Sequence, residues 1–256
     1  MAGSVTALFK DGERLLAATG DSIYVSTNQG RNWKRADIET RSIGFGFSPI
    51  YITSFARAGS SLYAGSTNEL LRSKDNGQTW TTVSAGIPFI QRIKTVGANI
   101  FALSRFAGIF ASFDEGESWT LLTTPADSSL DFTISGTNLF VTTEKGVFRS
   151  TDLGRSWLAA NNGLPSFDPQ TRTISSSMVR LGSKLFVGYY SYSTFDLSQP
   201  FSSVYVSSDQ GRSWTEARTG FGDAIIGNLF AAGTDVFTGT SRGVFRFNES
   251  GMNWQA

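Results

Sequence analysis

The chain has 256 residues and nearly balanced charge, 22 Lys and Arg against 21 Asp and Glu, for a formal net charge of +1. With no run of Lys or Arg, it carries no electrostatic footprint for nucleic acid or an anionic membrane surface. Cysteine and histidine are both absent, which removes disulfides, thiol nucleophiles, histidine-based triads and ordinary zinc sites.

From its first residues the chain reads as short strands. The opening MAGSVTALFKDG has no charged head followed by an apolar run, so no export signal is expected in it. No apolar stretch approaches the roughly 20 residues that cross a bilayer, and no membrane insertion is expected. High Ser, Thr and Gly with 17% charged residues lean the expected location towards extracytoplasmic or secreted.

One string then recurs along the chain. It appears as STNQGRNW (Ser26–Trp33), SKDNGQTW (Ser73–Trp80), SFDEGESW (Ser112–Trp119), STDLGRSW (Ser150–Trp157) and SSDQGRSW (Ser207–Trp214), with a decayed copy, FNESGMNW, at Phe247–Trp254. All six tryptophans close a copy, at spacings of 47, 39, 38, 57 and 40 residues. The three short spacings match a unit of four short strands, as in a propeller blade.

Each unit repeats the same two strands before the string. RLLAAT, SLYAGS, NIFALS, NLFVTT, KLFVGY and DVFTGT fill the second position; SIYVS, ELLRS, GIFAS, GVFRS, SVYVS and GVFRF fill the third. These runs are rich in β-branched and aromatic residues and bounded by Gly, Asn or Ser, and no stretch keeps a helical period. The string therefore lies between third and fourth strands, where the chain reverses tightly. Asp75 can accept backbone N–H bonds there, Gly77 supplies a backbone angle other residues resist, and Trp80 covers the turn. The reading is all-β: a six-bladed β-propeller of four-stranded antiparallel blades in sequence order, with little or no strand exchange at closure. Approximate blades are 4–38, 50–86, 91–124, 130–161, 173–219 and 223–256.

The pattern S-x-D-x-G-x-x-W resembles the Asp-box, or BNR, repeat of sialidase-like β-propellers, a superfamily that includes photosystem assembly factors. Four copies match in full: Ser73, Asp75, Gly77, Trp80; Ser112, Asp114, Gly116, Trp119; Ser150, Asp152, Gly154, Trp157; and Ser207, Asp209, Gly211, Trp214. The first copy has Asn28 for Asp, and the last has Phe247 and Glu249 for Ser and Asp. These residues are read as structural. They lack the alternating oxygen-ligand spacing of a calcium loop, and no metal or cofactor is expected.

The long spacings show where loops have grown. Insertions fall at 37–51, 161–173 and 189–203, all at the end of the blades away from the repeated turns. Loops on a rigid scaffold are where binding concentrates, and these are rich in aromatic residues. Candidate ligand contacts are Tyr189, Tyr190, Tyr192, Phe195, Asp196, Phe45 and Phe47, with Arg92 and Arg172 on inner strands. Packing of these rings onto their own loops is the alternative reading.

A sialidase, as the resemblance implies, uses three arginines, a Tyr–Glu nucleophile pair and an acid. Arg57, Arg92 and Arg172 are candidate arginines, and Asp37, Glu39, Asp131, Asp168, Asp196 and Asp223 candidate carboxylates. The aromatic-Arg-Ile-Pro string of that family is missing; the nearest string, FIQRIKT (Phe89–Thr95), has Lys94 in place of the proline. No catalytic residue is assigned. The expected function is a non-catalytic recognition or scaffold propeller binding a protein or glycan, with a sialidase-like glycoside hydrolase and one module of a larger secreted protein as alternatives. Self-association is a further expectation.

Overall fold

Hairpins between successive strands organise the chain. The computed structural model describes residues 4–39, 51–67, 69–125, 129–165, 171–193, 201–217, 224–248 and 253–255, and among them regular structure is entirely β. The chain divides into two compact units, Met1–Leu122 and Thr123–Ala256, each holding three sheets.

In the first unit, the first sheet is Val5–Asp11, Arg14–Thr19, Ser22–Ser26 and Lys34–Arg35. The second is Ile52–Ala58, Ser61–Ser66, Glu69–Ser73 and Thr79–Ala85; the third is Ile90–Val96, Asn99–Ser104, Gly108–Ser112 and Thr120–Leu121. In the second unit, the fourth sheet is Ser129–Ser135, Asn138–Thr143, Gly146–Ser150 and Leu158–Ala159. The fifth is Thr171–Leu181, Lys184–Ser193, Phe201–Ser207 and Thr215–Glu216, and the sixth Ile226–Ala232, Asp235–Thr240, Gly243–Asn248 and Asn253–Gln255. In each sheet these four strands pair antiparallel and in chain order. Six such meanders make the fold class a six-bladed β-propeller.

The second sheet departs from the four-strand pattern. Asp37–Glu39 leaves the first sheet and pairs in parallel with Thr79–Thr81, making a fifth strand on the outer edge. Asp37 N–H donates to the Gln78 carbonyl at 2.9 Å, and Ile38 packs against the cluster that contains the fully buried Trp80. The repeat pattern alone places that segment at the tail of the first blade. It moves because Thr79–Ala85 is seven residues long, while four of the other sheets end in two-residue strands; a long bare edge leaves donors and acceptors to be covered.

Sheets within a unit pack through alternating apolar positions. Leu16, Ala18 and Ile23 meet Phe55, Leu62 and Trp80; Tyr63 and Leu70 meet Ile90, Ile93 and Ile100. In the second unit, Phe140 and Val147 meet Met178, Val187 and Tyr189, and Phe186 and Val204 meet Leu229, Val236 and Trp254. First strands carry a register break near their start, at Ile52–Ser54, Ile90–Arg92 and Ser129–Asp131 among others. A bulge frees polar groups from the ladder, and here they bind the next sheet. Thr53 hydroxyl donates to the Ile90 carbonyl, and Ser54 Oγ accepts the Ile93 N–H at 3.0 Å. Asp131, 2% exposed, accepts the N–H groups of Phe132 at 2.8 Å and Met178 at 2.9 Å.

Antiparallel meanders place two kinds of connection at opposite ends of each sheet. The repeated turns share one end, the turn end, with the loops from first to second strands. Loops from second to third strands share the other, the linker end, with the sheet-to-sheet connections.

Candidate functional site

The repeated turns are consumed by their own geometry. Ser73 Oγ accepts the Gly77 N–H at 2.8 Å while its hydroxyl donates to Asp75 Oδ1 at 2.7 Å. Asp75 Oδ1 also accepts the N–H groups of Gln78 and Thr79, and Oδ2 accepts the Thr79 hydroxyl at 2.6 Å. The same network recurs at Asp114, Asp152 and Asp209. Burial alone would raise the Asp75 carboxyl; bonds from the Thr79 hydroxyl and N–H, from Ser73 and from Gln78 N–H outweigh it and bring it down to about 2. At Asp114, Asp152 and Asp209 the hydroxyls of Ser118, Ser156 and Ser213 lead, again to about 2.

Two consecutive residues in each described turn have left-handed backbones, Asn76 at φ 63° and Gly77 at φ 91° in the second sheet, the pairing that reverses a hairpin tightly. Glycine has a second role in the second unit. A Cβ on Gly211 would lie 2.7 Å from the Phe140 ring of the preceding sheet, so any side chain there would push the turn off its neighbour. Both carboxylate oxygens of each of these aspartates accept hydrogen bonds from their own turn.

The linker end of the first unit is different. Four backbone bonds tie its loops into a belt: Ile52 N–H to Gly20 O at 3.3 Å, Thr67 N–H to Tyr51 O at 3.2 Å, Phe89 N–H to Thr67 O at 2.8 Å, and Arg105 N–H to Phe89 O at 2.9 Å. On this belt stand large exposed rings, Tyr51 at 47%, Phe89 at 45% and Phe106 at 68%. Phe89 and Phe106 meet edge to face, centroids 5.1 Å apart at 81°. The Arg105 guanidinium carbon lies 5.5 Å from the centre of the Phe106 ring, with no carboxylate paired to it among the described residues.

Phe89 also has a strained backbone, φ +48°. The other described non-glycine residues with positive φ all occupy the repeated turns, as Gln29, Asn76, Glu115, Leu153 and Gln210. A bulky residue held there costs about 1–3 kcal/mol, and an edge-to-face pair returns only about 0.5–1.5 kcal/mol. Glycine would take the conformation freely, yet the chain keeps an exposed ring.

Of the ligand contacts expected from the sequence, Tyr189 is corrected. It is 0% exposed and packs edge to face with Tyr205, 5.5 Å between centroids, in the core of the second unit. Its strand continues past it and turns its ring inward on the same face as the Val187 side chain, two residues earlier, and burial pushes its phenol up. Tyr190 is partly exposed on the same strand, and Arg92 is partly buried beside the bulge that follows Phe89. Phe45, Phe47, Phe195 and Asp196 lie outside the described residues, as do the side chains of Tyr192 and Arg172.

Two other candidates are spent on the fold. Arg57 is engaged in a two-pronged bond to Asp11, Nε to Oδ1 at 2.5 Å and Nη2 to Oδ2 at 2.6 Å, and donates to the Ser60 carbonyl at 3.0 Å. It sits at the turn end, and the Arg57 guanidinium holds the Asp11 carboxyl below its ordinary value. Asp131 is buried beneath the linker end and bound to backbone donors. Among the described residues no group of three or more acids could hold a metal ion.

Phe89, Arg105 and Phe106 do not stand out in the sequence, because they occupy short connections rather than insertions. The signal lies in SRFAG (Ser104–Gly108), an Arg–Phe pair at a turn where the fourth and sixth sheets have Glu144–Lys145 and Ser241–Arg242. In the second unit Ile225, 39% exposed, occupies the position equivalent to Tyr51 and Phe89, and its carbonyl accepts the Ser241 N–H at 3.1 Å.

No family model matches the chain, and no curated protein matches it. Solved structures do. An extracellular domain assigned to a one-component system of B. thetaiotaomicron superposes with a TM-score of 0.73 at 12% identity, covering 99% of this chain and 33% of that one. An ancestral GH74 enzyme gives 0.71 at 17% identity, covering 95% and 36%. YCF48 bound to a D1 peptide gives 0.64 at 13% identity, covering 99% and 80%. The chain spans about a third of the length of the first two. At such identities the likeness is one of fold, a β-propeller of the kind those proteins contain.

Proposed function

We propose that the chain is a non-catalytic recognition module, an Asp-box propeller that binds a protein or a glycan at its linker end. One observation carries this reading: exposed aromatic rings stand on a hydrogen-bonded belt around an arginine that no carboxylate among the described residues neutralises. Rigid aromatic anchors beside such a charge are what binding surfaces use to gain contact area at low entropic cost. YCF48 was solved with a peptide bound, and a peptide ligand for this chain is consistent with that. An extracytoplasmic setting is supported by the low-charge composition and by the extracellular neighbour.

The test is a glycan array and a displayed peptide library probed in parallel with the full chain, beside a panel of fluorogenic glycosides that includes a sialoside. Saturable binding to one array with no turnover on the panel is the expected result. Saturable hydrolysis of any glycoside would overturn the non-catalytic reading, and silence on both arrays would overturn recognition itself.

A further inference from the structure

We propose that Arg105, Phe106, Phe89 and Tyr51 form a site for an acidic peptide segment, one in which a carboxylate lies within a residue or two of an apolar side chain. The inference rests on the recognition reading above and names its ligand class. The Arg105 guanidinium carbon lies 5.5 Å from the centre of the Phe106 ring, within cation–π reach. A cation–π contact of this kind leaves the N–H edge of the guanidinium to donate two parallel bonds. The partner suited to that edge is a carboxylate, bound by charge-assisted bonds in a fork.

The rings decide against a sugar as the occupant. Phe89 and Phe106 meet at 81° and make a wedge, where a pyranose face needs a flat platform. A polyol also needs acceptors for its hydroxyl protons, and Tyr51, Phe89, Arg105 and Phe106 offer no amide or carboxylate side chain. Glu69, on the neighbouring strand, is buried and accepts the Thr82 hydroxyl at 2.7 Å. An apolar peptide side chain fits a wedge of two rings. Tyr51 and Phe89 occupy equivalent positions just before the first strands of successive sheets, so apolar contacts repeat along the belt as an extended chain would require.

Phe89 supplies the second, independent argument. Its backbone is held left-handed by bonds through both its N–H and its carbonyl, and a glycine at this position would keep both bonds without the strain. A strained residue with an exposed ring is stored where function needs that ring.

The experiment uses the full chain. Random peptides of about 12 residues, enough to span the belt at about 3.3 Å per residue, are displayed and enriched on the protein. Those selected are synthesised in two forms, as found and with Asp and Glu replaced by Asn and Gln. Expected are an acid beside Leu, Ile, Val or Phe in the enriched set, and weaker binding of the amide forms by about tenfold. Affinity should also fall as salt rises past physiological strength. R105Q and F106A should each weaken binding by about tenfold. F89G should lose binding while its Tm stays level or rises. Equal binding by R105Q, or no preference for acids, would overturn the site while leaving the recognition reading in place. A fall in Tm for F89G would show its ring to be a packing residue and overturn its assignment. Binding to glycans alone would overturn the peptide class, and no ligand on either array would remove both proposals together.

Discussion

Asp114 and its three counterparts keep their charge by accepting donors that the turn itself supplies, so their ionisation is coupled to folding. A carboxyl held near 2 when folded and near its ordinary value of 3.8 when unfolded adds stability above about pH 4, lost as pH falls towards 2. Thermal unfolding followed by circular dichroism should therefore be level from neutral pH down to about pH 4 and fall steeply below it. Asn28 indicates what survives without the charge: its Oδ1 still accepts the Asn32 N–H at 2.8 Å. Replacing Asp75 and Asp209 with Asn should accordingly lower Tm modestly at neutral pH and shrink the acid-induced fall. An unchanged acid profile in that variant would separate these carboxylates from acid stability. The Asp-to-Gly spacing makes this chemistry readable in the sequence, because an acceptor two residues before a glycine has few other uses in a hairpin. The left-handed Gln29, Glu115 and Leu153 are not readable there, since none of those residue types favours that conformation.

At the scale of elements, the tryptophans divide by how deeply their strands bury them. Trp80 is 0% exposed, packs near Phe55 with 6.0 Å between centroids, and donates to the Gly77 carbonyl at 3.0 Å. Trp119 makes the same bond to Gly116 but is only partly buried. Trp80→Ala should cost about 3–5 kcal/mol in chemical denaturation, and Trp119→Ala about 1–3 kcal/mol. Equal losses would show that the turn bond matters more than the ring's burial. Second and third strands are legible in the sequence because their alternation recurs in every repeat. The fifth strand at Asp37–Glu39 is not: three residues carry no period, and a parallel pairing is set by the length of the edge it covers. The buried Tyr189 is misread for a related reason, since an aromatic run at a strand end looks the same whether the strand stops or continues. Here the pairing continues through Tyr189–Ser203 and Tyr190–Ser202.

At the scale of the whole molecule, repetition identifies the scaffold, and the proposed site lies where the repeats depart from it. The repeated turns say little about a ligand, because in the described copies the residue at the Asp position hydrogen-bonds within its own hairpin. The informative residues are those that differ between repeats at equivalent places, and Arg105–Phe106 is such a departure. The role proposed for it depends on the belt that brings Tyr51, Thr67, Phe89 and Arg105 together at the linker end of the first unit, an adjacency that no spacing in the chain encodes. The claim that recognition occurs at this belt is tested most directly by amide hydrogen exchange of the full chain, free and saturated with an enriched peptide. Protection is predicted at 51–52, 67, 89–92 and 103–107. Protection confined to the repeated turns, or to the second unit, would contradict it.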